Sequence, residues 1–498
     1  MAILTVWQNG ICRELEATSG ALLSDVLVQA GYDTVRPCGG NGTCGKCAVT
    51  LSGLVSPPNV QEQKAGCRLA CQARLLGDAT VMLPDISKLS QIETAVHLEE
   101  ITVNPAHTGY GAALDIGTTT LVMQLYDLSS GKLLAQASRE NPQRAVAADV
   151  MGRIGAALQG HSALLQQQIE TAAAGLLESV CRQAQLQEAQ VGTLVVTGNT
   201  AMLYLLTARD TDCLAHAPFV ADTLFDTEVT LLARSVYLPA CMHAFVGADI
   251  TCAVFASGMC RDDRTALLCD IGTNGELALW KDGCLYVTST AAGPAFEGAG
   301  ISCGVGSVPG AIDRVWVEGS TVQLHTIGDA PAVGLCGSGL LDAVAAGLQL
   351  ELIDETGAME EELELAPGIT LLPKDVRAVQ LAKAAIGAGI RTLLETAGIT
   401  PRDVQKVFIA GGFGSHLDID NAAAIGLIPK DLASRVSVIG NAALSGAVAV
   451  LLDRDHRHAI RQIAGRACHV DLGGNPSFNE HYMEQMFFDA EQFGTLPK

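Results

Sequence analysis

Hydrophobic and polar positions along this chain group into short apolar runs broken by glycine-bearing turns. Residues 112–127 read as an apolar strand, the tight turn Asp-Ile-Gly-Thr-Thr-Thr at 115–120, and a second strand. The pattern returns at 267–282, again with Asp-Ile-Gly-Thr at the bend. Two strand–turn–strand units of one kind predict two facing lobes that each offer a loop to one ligand. Residues 194–206 predict a strand, a Gly-Asn turn and an apolar helix, and 406–429 open on a strand that ends in Gly-Gly-Phe-Gly. Residues 438–452 read as a helix with Gly440, Ala443 and Gly446 at helical spacing. Near the start, 3–7 alternates as a strand, Asn9-Gly10 makes a hairpin turn, and 11–16 returns. Thr18 or Ser19 is expected to cap a helix that runs to about Ala30, with Gly31 just past its end. Residues 86–109 are polar and β-prone, with little apolar periodicity. They predict a linker that lets the first module move, or an ordered arm packed on the second domain.

Length and composition narrow the classes. A chain of 498 residues holds roughly two to four domains. Hydrophobic residues make up 49 %, ample for real cores, and 52 glycines imply many tight turns. Aromatic content of 4 % argues against stacking platforms for single-stranded nucleic acid. A formal net charge of −22 disfavours nucleic acids and anionic membranes as partners, since phosphates are repelled. The opening MAILTVWQNG lacks the basic and apolar regions of a secretory signal, and no run of about 18 apolar residues predicts a membrane span. Sixteen cysteines are then expected as reduced thiols or metal ligands in a cytoplasmic protein.

The cysteines that carry a pattern are Cys38, Cys44 and Cys47, spaced C-x5-C-x2-C within PCGGNGTCGKCAVTLSG. The glycines between them let backbone wrap closely round an object and point N–H groups at it. Iron held by thiolates, with N–H donors to the sulfurs, suits such a loop, and tetrahedral zinc is the other reading. A fourth ligand comes from GCRLACQ, which offers Cys67 and Cys71. The segment resembles the 2Fe–2S ferredoxins, with the wider first gap of the adrenodoxin-like branch. There the last ligand follows an Arg-Leu-small run, which matches Arg68-Leu69-Ala70 and points to Cys71. The resemblance implies a β-grasp fold over residues 1–85, a one-electron carrier, and a potential of about −400 mV if the cluster is plant-type. Cysteines 12, 67, 181, 213, 241, 252, 260, 269, 284, 303, 336 and 468 show no pairwise ligand spacing and are expected mostly as small core residues.

After residue 110 the motifs LDIGTTT, LVVTGNT, LLCDIGTNGEL, KVFIAGGFG and VIGNAALSG occur in that order. The series resembles the five nucleotide-binding motifs of the actin, sugar-kinase and Hsp70 superfamily: phosphate loop one, a connecting helix, phosphate loop two, an adenosine loop and a second connecting helix. An α/β, two-lobed actin-like (ribonuclease H-like) ATPase domain over 110–498 is implied. Lobe I covers about 110–262 with the C-terminal helix region, and lobe II about 263–440. The physical roles fit. Gly117, Thr118, Thr119 and Thr120 in one loop, and Gly272, Thr273, Asn274 and Gly275 in the other, can bring N–H and side-chain donors to phosphate oxygens. Asp115 and Asp270 face the cleft from opposite lobes, to hold hydrated Mg²⁺ and orient a water as the catalytic pair. Gly411, Gly412 and Gly414 form a floor for adenine and ribose, and Gly440 and Gly446 belong to helices that cross closely where lobes hinge. MgATP is the implied cofactor.

Other stretches are less specific. The small-residue loop 289–304, with Glu297 as its one charge, reads as a surface loop or as a loop facing cleft or partner. Residues 334–345 open a helix with glycines, for an anion or for close packing. Cys241, Met242 and His243 are expected in a buried structural role.

Taken whole, the chain resembles the reductive activators of corrinoid-dependent enzymes. The matching stretches are CGGNGTCGKC, RLACQ, DIGTTT, NPQ, GADIT, CDIGTNGEL, AGPAFEGA, CGSGL and GGFG. That resemblance implies an ATP-dependent one-electron reduction that returns the Co(II) corrinoid protein of a methyltransferase system to Co(I). It also implies an upstream donor such as ferredoxin or flavodoxin, and the fold admits a homodimer. It associates Asn141, Gln143, Asp249 and Glu297 with the partner side, with Glu297 also near the cofactor. Two departures stand out: larger members carry a small extra domain between linker and ATPase, and the stretch after Asn-Pro-Gln here is RAVAADV, where relatives tend to carry an aromatic and a glycine. The alternatives are an activator of another low-potential enzyme, like those of 2-hydroxyacyl-CoA dehydratases, which lack a ferredoxin domain, and a redox-sensing ATP-binding protein. The loop at 38–47 speaks against the first, and intact Asp115 and Asp270 against the second.

Overall fold

A computed structural model describes residues 2–8, 11–30, 32, 47–65, 67–83, 103–413 and 417–488. Cys38, Cys44, Gly414, the Asn9-Gly10 turn and Gly31 lie outside the described residues.

The first module is a five-stranded mixed sheet. Strands β1 (Ala2–Gln8) and β2 (Ile11–Ala17) pair antiparallel; α1 (Leu23–Gln29), β3 (Ala48–Val55), α2 (Val60–Ala65), β4 (Arg68–Leu69) and β5 (Leu75–Met82) follow. The order is β2-β1-β5-β3-β4, with β1 parallel to β5. Alternation sends Leu4, Val6 and Val81 inward against Leu23 and Leu27 of α1, the β-grasp arrangement. The helix starts later than the Thr18/Ser19 cap predicts. The Ser19 hydroxyl donates to the Leu76 carbonyl (3.0 Å) and Leu22 bridges to Arg74, so 19–22 is bound to the sheet before the helix begins.

The remainder holds two six-stranded sheets of matching plan. In the first, β6 (Tyr110–Ile116), β7 (Thr120–Asp127) and β8 (Lys132–Glu140) form an antiparallel meander. After α3 (Val150–Ala156) and α4 (Ser162–Gln183) come β9 (Val191–Gly198), α5 (Thr200–Leu206), α6 (Asp212–Ala215), β10 (Thr227–Leu231), β11 (Arg234–Leu238) and α7 (Ala248–Ser257). The order is β10-β11-β9-β6-β7-β8, with β9 parallel to β6.

The second sheet repeats the meander with β12 (Ala266–Ile271), β13 (Gly275–Lys281) and β14 (Cys284–Thr290). A subsidiary layer follows: β15 (Ala311–Glu318), β16 (Thr321–Thr326), β17 (Gly334–Leu335), α8 (Gly337–Gln349), β18 (Leu363–Ala366), β19 (Ile369–Leu371) and the long α9 (Pro373–Thr396). Then come β20 (Lys406–Ala410), α10 (Ile419–Ala424), β21 (Val436–Gly440), α11 (Ala442–Leu452), α12 (His456–Gly465), β22 (Ala467–His469) and α13 (Pro476–Glu484). The order is β21-β20-β12-β13-β14-β22, so β20 lies parallel beside β12 as β9 lies beside β6. Both sheets therefore end β6 and β12 at a turn that opens toward one place.

Residues 438–452 are not one helix. Val436 and Val438 extend the sheet beside β20, Gly440 closes the strand at φ +58°, and Asn441 caps α11 by accepting from Leu444 N–H (2.8 Å). The β-branched run favours the strand over the helix that the spacing of small residues suggests. Helix α11 leaves the second sheet and packs against α7 and the first sheet, and one apolar cluster joins Ala113, Cys252, Leu268, Ala410 and Val448. At the α7–α11 crossing, a Cβ on Gly446 would stand 2.3 Å from the Cys252 carbonyl oxygen. Of the expected linker, 103–109 is described: Asn104 N–H donates to Leu452 O (2.9 Å) and its carbonyl accepts from Arg454 (3.0 Å). No helix among the described residues is long and apolar enough to cross a membrane.

The crossing makes a prediction. Gly446→Ala should cost about 2 kcal/mol in urea-induced unfolding, because backbone rather than a flexible side chain must give way. Gly465→Ala, where a Cβ meets nothing within 4 Å, should change stability by less than about 0.5 kcal/mol. Equal effects at the two sites would show that the helices do not meet as closely as described.

Candidate functional site

The two matching turns bring carboxylates together. Asp115 and Asp270 each stand one residue before the end of their strand, β6 and β12. Asp115 accepts a hydrogen bond from the Asn441 side chain (3.0 Å), which reaches it from the cap of α11. Burial, with the Asp270 charge, pushes the Asp115 carboxyl up to about 7, and burial pushes Asp270 up to about 6. Asp249, in the first turn of α7, is pushed up to about 8 by burial and by the charges of Asp115 and Asp270. Glu276 on β13 is held well above the ordinary range by burial, Asp249 and Asp270, and hydrogen-bonds Asn274. These four groups share one electrostatic environment. Such a group is costly when charged, and a divalent cation offsets that cost; among the described residues no three carboxylates converge tightly enough to ligate one ion directly, so the set suits a hydrated Mg²⁺ held through its waters.

The phosphate-loop residues lie across the cleft from one another. In the first loop, Gly117 N–H bonds to Thr120 O (3.0 Å), and a Cβ at Gly117 would stand 2.7 Å from that oxygen. Asn141 N–H holds Thr119 O (2.8 Å), the Asn141 side chain holds Gly117 O (2.8 Å), and the Asn199 side chain donates to Thr118 Oγ1 (3.3 Å). In the second loop, Gly272 N–H bonds to Asn274 O (3.0 Å), and Thr290 Oγ1 sits 2.7 Å from where a Gly275 Cβ would be. Thr119 and Thr273 approach to 3.5 Å between hydroxyl oxygens. Glu297 spans them: its Oε1 accepts from Thr273 N–H (3.0 Å) and Oγ1 (2.8 Å), and its Oε2 accepts from the Thr119 hydroxyl. Loop 289–304 thus reaches the cleft rather than lying apart as a surface loop.

The glycine floor is partly described. Gly411 has φ +91°, donates to Gly440 O (3.0 Å), and would place a Cβ 2.7 Å from Asp270 Oδ1. Gly412 faces open space. Phe413 stacks on Phe296 (centroids 4.8 Å, 18°), next to Glu297. The glycines of 334–345 serve packing: a Cβ on Gly337 would meet Phe296 O at 1.9 Å, and one on Gly339 would meet Ile312 O at 2.1 Å.

The residues that the resemblance associates with the partner side lie close to the two loops. Asn141 and Gln143 are 1 % and 0 % exposed and brace phosphate loop one and α4, the latter through Gln143 Nε2 to Leu165 O (2.9 Å). Asp249 belongs to the carboxylate cluster. Sequence reading missed Glu276, Asn441, Asn199 and Arg153. Glu276 was detectable as a lone carboxylate in an apolar strand, and the two asparagines as residues opening helices. Arg153 carried no signal.

In the first module, Cys47 and Cys71 enter one apolar cluster. Ala70 N–H donates to Cys47 O (2.9 Å), and β3 pairs Ala48 with Leu69, which sets Cys71 beside the end that carries Cys47. Gln72 Nε2 points at Cys71 Sγ (3.6 Å), a donor suited to a thiolate. Cys67, just before β4, is half-buried and packs against the same cluster. Buried Glu62 secures that strand, accepting from Leu69 N–H (3.0 Å), Arg68 Nε (2.9 Å) and Asn59 N–H (3.0 Å). Burial pushes its carboxyl up, but those bonds outweigh it and hold it below the ordinary value. The thiols present fit an iron–sulfur centre completed from 38–46.

Comparison with known proteins agrees. Residues 264–498 match the model of the C-terminal ASKHA domain of RACo, 110–262 its middle region, and 7–76 the 2Fe–2S iron–sulfur cluster binding domain. The corrinoid activation enzyme RamQ of Eubacterium limosum is 35 % identical, over 95 % of this chain and 97 % of its own. That alignment runs over 580 positions, so RamQ carries residues this chain of 498 lacks. The [Co(II) methylated amine-specific corrinoid protein] reductase of Methanosarcina barkeri is 27 % identical over 76 % of this chain and 77 % of its own. A solved reductive activator for a corrinoid, iron–sulfur protein superposes with a TM-score of 0.74 at 27 % identity, covering 99 % of this chain and all of that one.

The carboxylate cluster predicts a pH dependence. The folded values of about 6 to 8 stand above the unfolded 3.8, so the folded chain binds more protons. The metal-free protein should therefore lose stability as pH rises from 5 to 8. Mg²⁺ should raise the melting temperature more at pH 8 than at pH 5.5; an equal or reversed effect would mean the carboxylates do not meet a cation.

Proposed function

The chain belongs to the RACo family of reductive activators of corrinoid-dependent enzymes, and from that premise we propose that it returns the Co(II) corrinoid protein of a methyltransferase system to Co(I), with ATP driving the transfer. The observation that carries the proposal is one chain joining a thiol-lined β-grasp module to a cleft with two phosphate loops and clustered carboxylates. When bound, the 2Fe–2S cluster supplies a one-electron carrier and MgATP supplies the drive. An electron costs roughly 1.4 kcal/mol for every 59 mV uphill. A corrinoid a few hundred millivolts below its donor therefore asks for several kcal/mol, which a nucleotide-gated change in lobe closure can offset.

Each residue has a place in that reading. Cys38, Cys44, Cys47 and Cys71 would hold the cluster, Cys71 rather than Cys67 because it lies beside Cys47 and takes the Gln72 donor. Asp115 and Asp270 would hold Mg²⁺ and orient the attacking water, with Asp249 and Glu276 behind them. Gly117–Thr120 and Gly272–Gly275 would take the phosphates, and Gly411, Gly412 and Gly414 the adenosine. Glu297 binds both loops directly, so nucleotide entry between them must rearrange it. The working division is a ferredoxin-type domain at 1–85, a linker at 86–109 and an ATPase domain at 110–498. A ferredoxin or flavodoxin would supply the electron, in the cytoplasm, and a homodimer is compatible with the fold.

Two measurements test this. Anaerobically, reduced protein mixed with a Co(II) corrinoid protein from the same genome neighbourhood should yield Co(I) absorbance only with ATP. Asp115→Ala should keep the cluster spectrum and lose that signal; ATP-independent Co(I), or none with any such partner, sinks the proposal. In a separate test, Cys71→Ser should abolish the 2Fe–2S absorption and Cys67→Ser should keep it, the reverse result reassigning the fourth ligand.

A further inference from the structure

Arg153 on α3 is a fully buried guanidinium in a chain with 53 acidic and 31 basic residues. Among the described residues it has no carboxylate within ion-pair distance. Its donors go to neutral acceptors: Nη2 to Thr118 O (2.6 Å), Nε to Ala147 O (3.1 Å), and Nη1 to Gln143 Oε1 (3.3 Å) and Met202 Sδ (3.2 Å). A buried cation without a counter-ion is costly, and removing one partner from such a charge typically destabilises. Here burial, reinforced by the nearby Arg144 charge, pulls the guanidinium down to about 9, while Asp149 and Glu297 oppose the shift from further off.

The contact with Thr118 matters for geometry. The Thr118–Thr119 peptide is planar and trans, so fixing its carbonyl toward Arg153 aims the Thr119 N–H the opposite way. That N–H has no acceptor among the described residues. A charged donor on the carbonyl also polarises the peptide and strengthens its N–H as a donor. Phosphate loop one thus presents a free N–H on one side and has an uncompensated cation on the other.

We propose that Arg153 is a positioning residue for the nucleotide, orienting the Thr118–Thr119 peptide and holding behind it a positive charge whose counter-charge is the nucleotide's phosphates. The proposal rests on reading 115–120 as a phosphate loop. It places the cation requirement of the site at the carboxylate cluster and its anion requirement at Arg153, two opposite charges set around one loop.

The test is nucleotide binding by the full chain, measured calorimetrically with MgATP, MgADP and adenosine. Wild-type protein should prefer MgATP over adenosine. Arg153→Gln keeps a donor for Thr118 but removes the charge. It should weaken MgATP about tenfold and leave adenosine unchanged. Arg153→Lys keeps the charge and should recover most of the preference. A wild-type ratio of MgATP to adenosine affinity in Arg153→Gln overturns the inference, as does an equal loss for all three ligands, which a merely structural role would give. Should neither variant fold, the wild-type chain decides: tripolyphosphate without Mg²⁺ should raise its melting temperature and adenosine should not, and no shift with tripolyphosphate overturns the proposal. If wild-type protein binds no MgATP at all, the phosphate-loop reading itself fails, a result distinct from the others.

Discussion

Four carboxylates, Glu276 buried and Asp115, Asp249 and Asp270 half-buried, set the terms for the cleft. Asp115, Asp249, Asp270 and Glu276 come from β6, α7, β12 and β13, so both sheets and the helix between them meet at the one place where charge is hardest to tolerate. Without a cation the cluster keeps protons that an exposed carboxylate would have lost. With hydrated Mg²⁺ in place, as proposed, the same groups would face its waters and offset its charge. An arrangement this unfavourable alone would be stabilised by a bound cation, and the surrounding fold brings those four positions together.

Two couplings carry that constraint outward. Asn441 ties Asp115 to the cap of α11, and α11 crosses α7, the helix that bears Asp249, so closely that Gly446 has no room for a side chain. A change at the carboxylates is therefore felt at the crossing that joins the two sheets. Glu297 supplies the second coupling, binding Thr119 of one loop and Thr273 of the other through a single side chain. It also sits beside Phe296, which stacks on Phe413 of the adenosine loop. One short segment thus touches three of the five motif regions, which is what a segment must do if lobe closure is to depend on nucleotide.

How much of this the sequence carried follows from how local each feature is. The paired Asp-Ile-Gly-Thr turns, the order of motifs and the cysteine spacing are all contained in short windows, and they pointed to the fold and to Asp115 and Asp270. Small residues at intervals of three resemble a packing stripe and so put Gly440 in a helix, whereas β-branched neighbours and a parallel partner strand make it a strand end. The resemblance associates Asn141 and Gln143 with the partner side, and their bracing of the first loop is visible only in the packing, where both are buried. Arg153 was illegible: an arginine in a short helix is ordinarily a solvated surface residue, and only the packing of α3 under loop one makes it a buried cation.

That last case bears on why an acidic chain can bind a polyphosphate. A net charge of −22 repels anions at long range, so the attraction must be local and out of solvent's reach. Exposed lysines around the cleft would be screened, and would be drawn to the acidic surface nearby. A guanidinium sealed behind the loop and satisfied only by carbonyls, an amide and a thioether avoids both fates. Its field is weakly screened, it cannot collapse onto a neighbouring carboxylate, and its hydrogen bond to Thr118 converts charge into the orientation of a donor. On the proposed reading, specificity for a phosphate chain bearing a divalent ion would follow from having the carboxylates that offset the cation and the guanidinium that offsets the anion both fixed near loop one, neither of which an uncharged ligand can satisfy.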